Sequence, residues 1–242
     1  MAAPAWQKLV GNAFGLYTTT VTVPITNAPT AGNFMFLVVE ASHRETSTPT
    51  QPTWTDPSGW TLVDTKYNAV ADLSGQGYST WWAIVRIYRK TATASETAPT
   101  ITRTGNGATL ARIWEYSQAS FVASQSYSGI DTSASPANTY TSGPADRTVF
   151  WTICAPKLEF GFPFTQIDTA GFGNRDNSYV NGTGFWLQSS DYDDFNTVGT
   201  INLPRLTQAD QNLTNNWFPY VAIAVEIRAP FKAGWVRGHA WG

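Results

Sequence analysis

Two stretches of this chain echo one another. Trp60-Thr61-Leu62-Val63-Asp64-Thr65 follows a Pro/Ser/Gly turn in the first half, and Phe164-Thr165-Gln166-Ile167-Asp168-Thr169 follows Pro163 in the second. A tryptophan stands 22 residues after the leading aromatic in both, at Trp82 and at Trp186. Each half then closes on a similar pattern, Ala111-Arg112-Ile113-Trp114-Glu115-Tyr116 against Ala222-Ile223-Ala224-Val225-Glu226-Ile227. The period of this echo, near 104 residues, is too long for a solenoid or a propeller blade. It predicts two related sheet-forming halves that complete one sandwich, or two small tandem domains.

Composition points to strands. Hydrophobic residues make up 42% of the 242, enough for a sizeable core, while charged residues make up only 13%. Aromatic residues make up 14%, with 11 Trp, and Thr, Ser, Asn and Gln replace the usual surface Lys and Glu. β-Branched and aromatic side chains suit half-buried pleated surfaces. No sustained 3.6-residue apolar period is present, so at most a helical turn or two is expected. Alternating or apolar runs over 17–23, 34–40, 60–65, 81–89, 99–104, 108–116, 138–142, 147–154, 184–188 and 219–228 read as roughly ten strands. Residues 43–58, with three prolines, and the polar stretch 67–76 read as loops. Short strands broken by Gly, Pro and Asn turns predict an all-β fold, a jelly-roll-like β-sandwich. The expected organisation is an N-terminal arm over 1–16, a β-sandwich domain over 17–230 and an aromatic C-terminal tail over 231–242.

The chemistry classes are mostly excluded. A formal net charge of −2, with no basic cluster longer than Arg89-Lys90, argues against a nucleic-acid partner. Cys154, the single cysteine, has no disulfide mate and reads as a small buried hydrophobe. The first residues lack the basic and apolar regions of a signal peptide, and no run approaches the roughly 20 apolar residues of a membrane span. The expectation is a soluble product made in a cytoplasm, with no membrane insertion. His43, in the predicted loop, and His239, in the tail, have no ligand-spaced neighbours, so no zinc or other cofactor site is read. Gly105-Asn106-Gly107 reads as a hairpin turn, not a phosphate loop. Asp191, Asp193 and Asp194 form the richest acidic spot; three carboxylates so close suit a Ca²⁺ ion, but a solvated loop is the preferred reading. Asp64 with Asp168, or Glu115 with Glu226, would be glycosidase-like pairs. Both pairs fall inside the repeat, so structural roles are preferred and no catalytic residue is assigned. Asn181-Gly182-Thr183 and Asn212-Leu213-Thr214 match the glycosylation sequon, a short motif that arises often by chance.

The aromatic surplus leaves a binding role open. Exposed Trp and Tyr stack on sugar rings, and the same residues fill cores and subunit interfaces. Trp60, Trp81, Trp114 and Trp151 read as core. Trp6, Trp235 and Trp241 sit in Gly-containing termini and are the candidate partner-docking residues, because free ends this aromatic would be sticky.

Three further stretches fall in a familiar order: Gly32-Asn33-Phe34-Met35-Phe36-Leu37-Val38-Val39, Asp56-Pro57-Ser58-Gly59-Trp60-Thr61-Leu62-Val63 and Tyr88-Arg89-Lys90-Thr91-Ala92-Thr93-Ala94-Ser95-Glu96. Together with Tyr127-Ser128-Gly129-Ile130-Asp131-Thr132, they resemble a loose group of β-sandwich virion proteins of tailed bacteriophages. That group comprises minor tail or fibre proteins and some capsid decoration proteins. The resemblance spans roughly residues 17–230; Pro163-Phe164 departs from it where a second Gly-Trp is expected. It implies a non-enzymatic virion component, made in the bacterial host cytoplasm. The implied state is a homo-oligomer, with a trimer as the leading form, contacting other virion proteins or a host-surface glycan. A minor tail or fibre role leads, capsid decoration follows, and a carbohydrate-binding module is the contrasting class.

Overall fold

The computed structural model describes residues 4–45, 50–71, 80–105, 107–131, 138–142, 147–157, 165–167, 172–182, 185–195, 199–207 and 218–230. Every regular element among them is a strand. The first half holds β1 (Ala5–Leu16), β2 (Thr20–Thr22), β3 (Phe34–Glu45), β4 (Trp54–Thr55), β5 (Thr61–Ala71), β6 (Thr80–Thr91), β7 (Thr100–Arg103) and β8 (Ala108–Ser117). The second holds β9 (Ser120–Asp131), β10 (Thr139–Ser142), β11 (Arg147–Lys157), β12 (Thr165–Ile167), β13 (Phe172–Gly182), β14 (Phe185–Phe195), β15 (Gly199–Asn202), β16 (Arg205–Thr207) and β17 (Phe218–Arg228).

The first half forms a five-stranded antiparallel sheet, β1-β8-β3-β6-β5, and a three-stranded one, β2-β7-β4. Read from its β9 edge, the second large sheet runs β9-β17-β11-β14-β13, with the short pairs β10-β15 and β12-β16 beside it. These are the same order. β1 corresponds to β9, β8 to β17, β3 to β11, β6 to β14 and β5 to β13, while β15 and β16 together stand for β7. The register agrees too, and two of its irregularities recur, while a second bulge of β1, at Val10, has no counterpart in β9. The bulge at Gln7 in β1 has its counterpart at Val122 in β9, and the bulge at Val63 in β5 has its counterpart at Arg175 in β13. The short sheets repeat a cross-strand threonine pair, Thr22 with Thr100 at 2.9 Å and Thr141 with Thr200 at 3.2 Å. Even a single ladder bond recurs: Arg103 N–H to Thr19 O at 2.8 Å, and Leu203 N–H to Asn138 O at 2.9 Å.

Burial explains why the central strands read as unbroken apolar runs. Phe34, Phe36, Val38, Trp114, Phe150, Val221, Val225 and Ile227 make a central core between the two large sheets. The opposite faces carry a core of their own: Met35, Leu37, Val39 and Ile113 with Ile101 in the first half, and Val149, Trp151, Ile153 and Ala222 with Tyr140 and Ile201 in the second. A strand covered on both faces carries hydrophobic residues on both, so β3 and β8 lose the alternation of a half-exposed strand. Only Gln118 and Ala119 separate β8 from β9, with Gln118 in the left-handed region at φ 51. Such a short joint, and a core shared by both halves, leave no room for two free tandem domains.

Several expectations need correction. The structure has many more strands than ten. The hexamer at 164–169 is not the counterpart of 60–65: Thr165–Ile167 is β12, paired with β16, whereas Thr61 opens β5 in a large sheet. Phe164, Asp168 and Thr169 lie outside the described residues. By register the counterpart of Trp60 and Asp64 is Phe172 and Asp176, eight residues further on. The other two echoes hold. Trp82 pairs with His43 as Trp186 pairs with Lys157, and 111–116 and 222–227 occupy matching places in β8 and β17. The expected arm, 1–16, contains β1, paired with β8 along its length. The expected loop 43–58 begins inside β3 and contains β4, and His43 is a buried strand residue. The loop read at 67–76 is strand as far as Ala71.

Candidate functional site

The acidic residues singled out from the sequence fall into two groups. Glu115 and Glu226 occupy matching register positions and are both buried. Glu115 pairs with Lys8 Nζ at 3.4 Å and accepts hydrogen bonds from Thr30 N–H at 2.9 Å and Asn33 Nδ2 at 2.5 Å. Glu226 pairs with Arg147 and accepts a hydrogen bond from the Tyr140 hydroxyl at 2.8 Å. Each pins a loop or strand to the outer face of its own large sheet, so each carboxylate is spent on structure. Asp64 accepts a hydrogen bond from Thr65 N–H at 2.7 Å, next to the bulge; Asp168 lies outside the described residues. Asp191, Asp193 and Asp194 belong to β14, which is paired on both sides, rather than to the loop the sequence suggested. Among the described residues no group of His, Cys, Asp and Glu could hold a metal ion.

A second polar constellation was not legible in the sequence. Glu40, Arg112 and Thr152 meet in the central core, all fully buried. Arg112 donates to Glu40 Oε2, and the Thr152 hydroxyl donates to Glu40 Oε1 at 2.6 Å, so one carboxylate ties β3 and β8 to β11 of the other half. Cys154 is buried on the same face of β11. Burial pushes its thiol well above the ordinary range, and the charge of Glu40 adds to the rise. A thiol held protonated is a poor nucleophile. Cys154 should therefore resist a water-soluble disulfide reagent in the native protein and react with one equivalent after denaturation; rapid native labelling would contradict this packing.

Further along the outer face of the first large sheet, Arg86 is fully partnered. It reaches Asp56 Oδ1 at 2.7 Å, the Tyr88 hydroxyl at 2.7 Å and the Tyr67 hydroxyl at 3.1 Å, and lies 5.4 Å from the Trp54 ring centre. Burial raises the Tyr88 hydroxyl above its usual range, so it is a structural donor to Asp56 at 2.9 Å. Arg103 stands over the other side of this cluster, 5.9 Å from the Trp54 ring centre, and burial lowers it to about 10.

One open feature among the described residues lies at the seam between the halves. The edge strands β5 and β9 come together where Asn68 donates to Gly129 O. Towards their first residues they part around a cleft of about 360 Å³, lined by Phe34, Thr61, Arg89, Thr91, Ser120 and Phe121 among others. The Arg89 guanidinium lies 4.7 Å from the Phe121 ring centre. Lys90, also at the rim, is held by Glu96 at 2.5 Å. Burial works against the Glu96 carboxylate, but hydrogen bonds from Lys90 and Thr93 outweigh it and keep the group below its usual value.

Of the candidate docking residues, Trp6 lies in β1, partly buried against the central core, at the register counterpart of Phe121. Trp235 and Trp241 lie outside the described residues. Compared with known proteins, the chain matches no family profile, no curated protein and no solved structure.

Proposed function

We propose that this chain is a non-enzymatic structural protein of a tailed-phage virion, a minor tail or fibre component that contacts other virion proteins or the host surface. The observation that carries the reading is the duplicated strand order, with the acids that might have done chemistry locked into equivalent structural positions. The orders β1-β8-β3-β6 and β2-β7-β4 of the first half resemble part of an eight-strand double Greek key, which supports a jelly-roll-like reading, with β5 joining the larger sheet instead of the smaller. Two such units fused back to back are a rigid block, suited to repetition in a particle. The resemblance of residues 17–230 to phage virion proteins supports the same role and brings capsid decoration as the runner-up.

Assembly is the property to test. Residues 231–242 carry Trp235 and Trp241 with little charge, and buried Trp often dominates an interface. Deleting 231–242 should leave the circular dichroism and unfolding midpoint of the sandwich unchanged while weakening oligomerisation, seen in sedimentation, or incorporation into particles. A truncated protein that assembles as well as the full chain would sink the docking role.

A further inference from the structure

We propose that the cleft at the seam of the two halves binds a carboxylate-bearing sugar, with Arg89 gripping the carboxylate. This deepens the host-surface side of the function proposed above by naming a ligand class. What the fold requires is kept in both halves: the bulges, the threonine pairs, and the buried Glu115 and Glu226. Arg89 is not kept. Its register counterpart, opposite Phe150 as Arg89 is opposite Phe36, is Asp193. The architecture therefore does not depend on a cation at this position, and a reason outside the fold has to be sought.

The surroundings of Arg89 supply one. Its guanidinium pairs with no carboxylate among the described residues; the Phe121 ring holds it by a cation–π contact, which orients the planar fork without consuming its N–H donors. An arginine so presented recognises a planar carboxylate with two parallel hydrogen bonds. Thr61, Thr91 and Ser120 line the same cleft; the Ser120 hydroxyl donates to Arg228 O at 3.2 Å, which leaves the two threonines as the side chains suited to sugar hydroxyls. The volume of about 360 Å³ falls at the lower end of small-ligand pockets, the size of a monosaccharide or disaccharide and too small for a folded partner. Lys90 adds little positive charge while Glu96 neutralises it.

Titration calorimetry on the full chain decides the matter, using galacturonate, galactose and inorganic phosphate. The expected result is galacturonate binding that weakens with added salt, with galactose at least about tenfold weaker, since it leaves the guanidinium unpaired. Arg89→Met should abolish the galacturonate signal and Arg89→Lys should retain part of it, both with native circular dichroism. Phosphate binding as tight as galacturonate would overturn the sugar assignment in favour of a plain anion site. Absence of binding by all three, or undiminished binding by Arg89→Met, would overturn the proposal altogether. Either failure leaves the virion role standing, because assembly of the particle does not depend on this cleft.

Discussion

Replacing Arg112 by Met should lower the stability of the protein by about 3–5 kcal/mol, because it strands the Glu40 carboxylate in the central core without its counter-charge. Glu40, Arg112 and Thr152 are fully buried, so water cannot take over. The Thr152 hydroxyl, at 2.6 Å, supplies a neutral donor and no compensating charge. The double variant Glu40→Met/Arg112→Met should recover most of the loss, since an apolar pair of similar volume removes the desolvation cost together with the attraction. Urea unfolding monitored by tryptophan fluorescence measures both. A single variant within about 1 kcal/mol of the parent, the range of an exposed pair, would mean that the ion pair is not buried between the halves.

Removing residues 1–16 should have a larger effect still and abolish cooperative folding. β1 supplies Val10, fully buried, and packs Trp6 and Leu9 against the central core. Val10 O receives the Thr26 and Asn27 N–H groups at 3.0 and 2.9 Å, and Pro4 O receives the Thr148 hydroxyl at 3.0 Å across the two halves. Without β1, the whole edge of β8 loses its ladder, and buried backbone groups without partners are strongly unfavourable. The truncated chain should show no sigmoidal thermal transition. A truncated protein that melts cooperatively at the parent temperature would make β1 a dispensable appendage.

These two regions also mark how far the sequence could be read. The central strands were legible because burial on both faces makes 34–39 and 221–225 continuously apolar. The edges were not. β1, β5, β9 and β13 are the outer strands of the large sheets, and a half-exposed edge tolerates the Ser, Asn and Gly found in Ser120–Asp131 and Phe172–Gly182. Bulges at Gln7, Val10, Val63, Val122 and Arg175 shift the alternation by one residue, which hides the period of two. The same bulges explain the misplaced repeat: the hexamer at 164–169 mimics 60–65 in letters, while its true counterpart, 172–177, keeps only an aromatic and an aspartate. The site was less legible than the fold. Glu115 and Glu226 stand out in the sequence because they sit in the repeat, but nothing local in the sequence brings Arg89 and Phe121, 32 residues apart, to one cleft. An exception to the repeat, Arg89 where the other half has Asp193, was the available signal, and it required the right alignment of the halves.

The proposed role as a repeated virion component is tested most directly by quantitative mass spectrometry of phage particles purified from a host expressing this chain and its virus. The account predicts that the protein co-purifies with intact particles in a fixed ratio to the major capsid or tube protein, several copies per virion, and resists removal by high salt. Recovery only in the soluble lysate, with none on the particles, would contradict it.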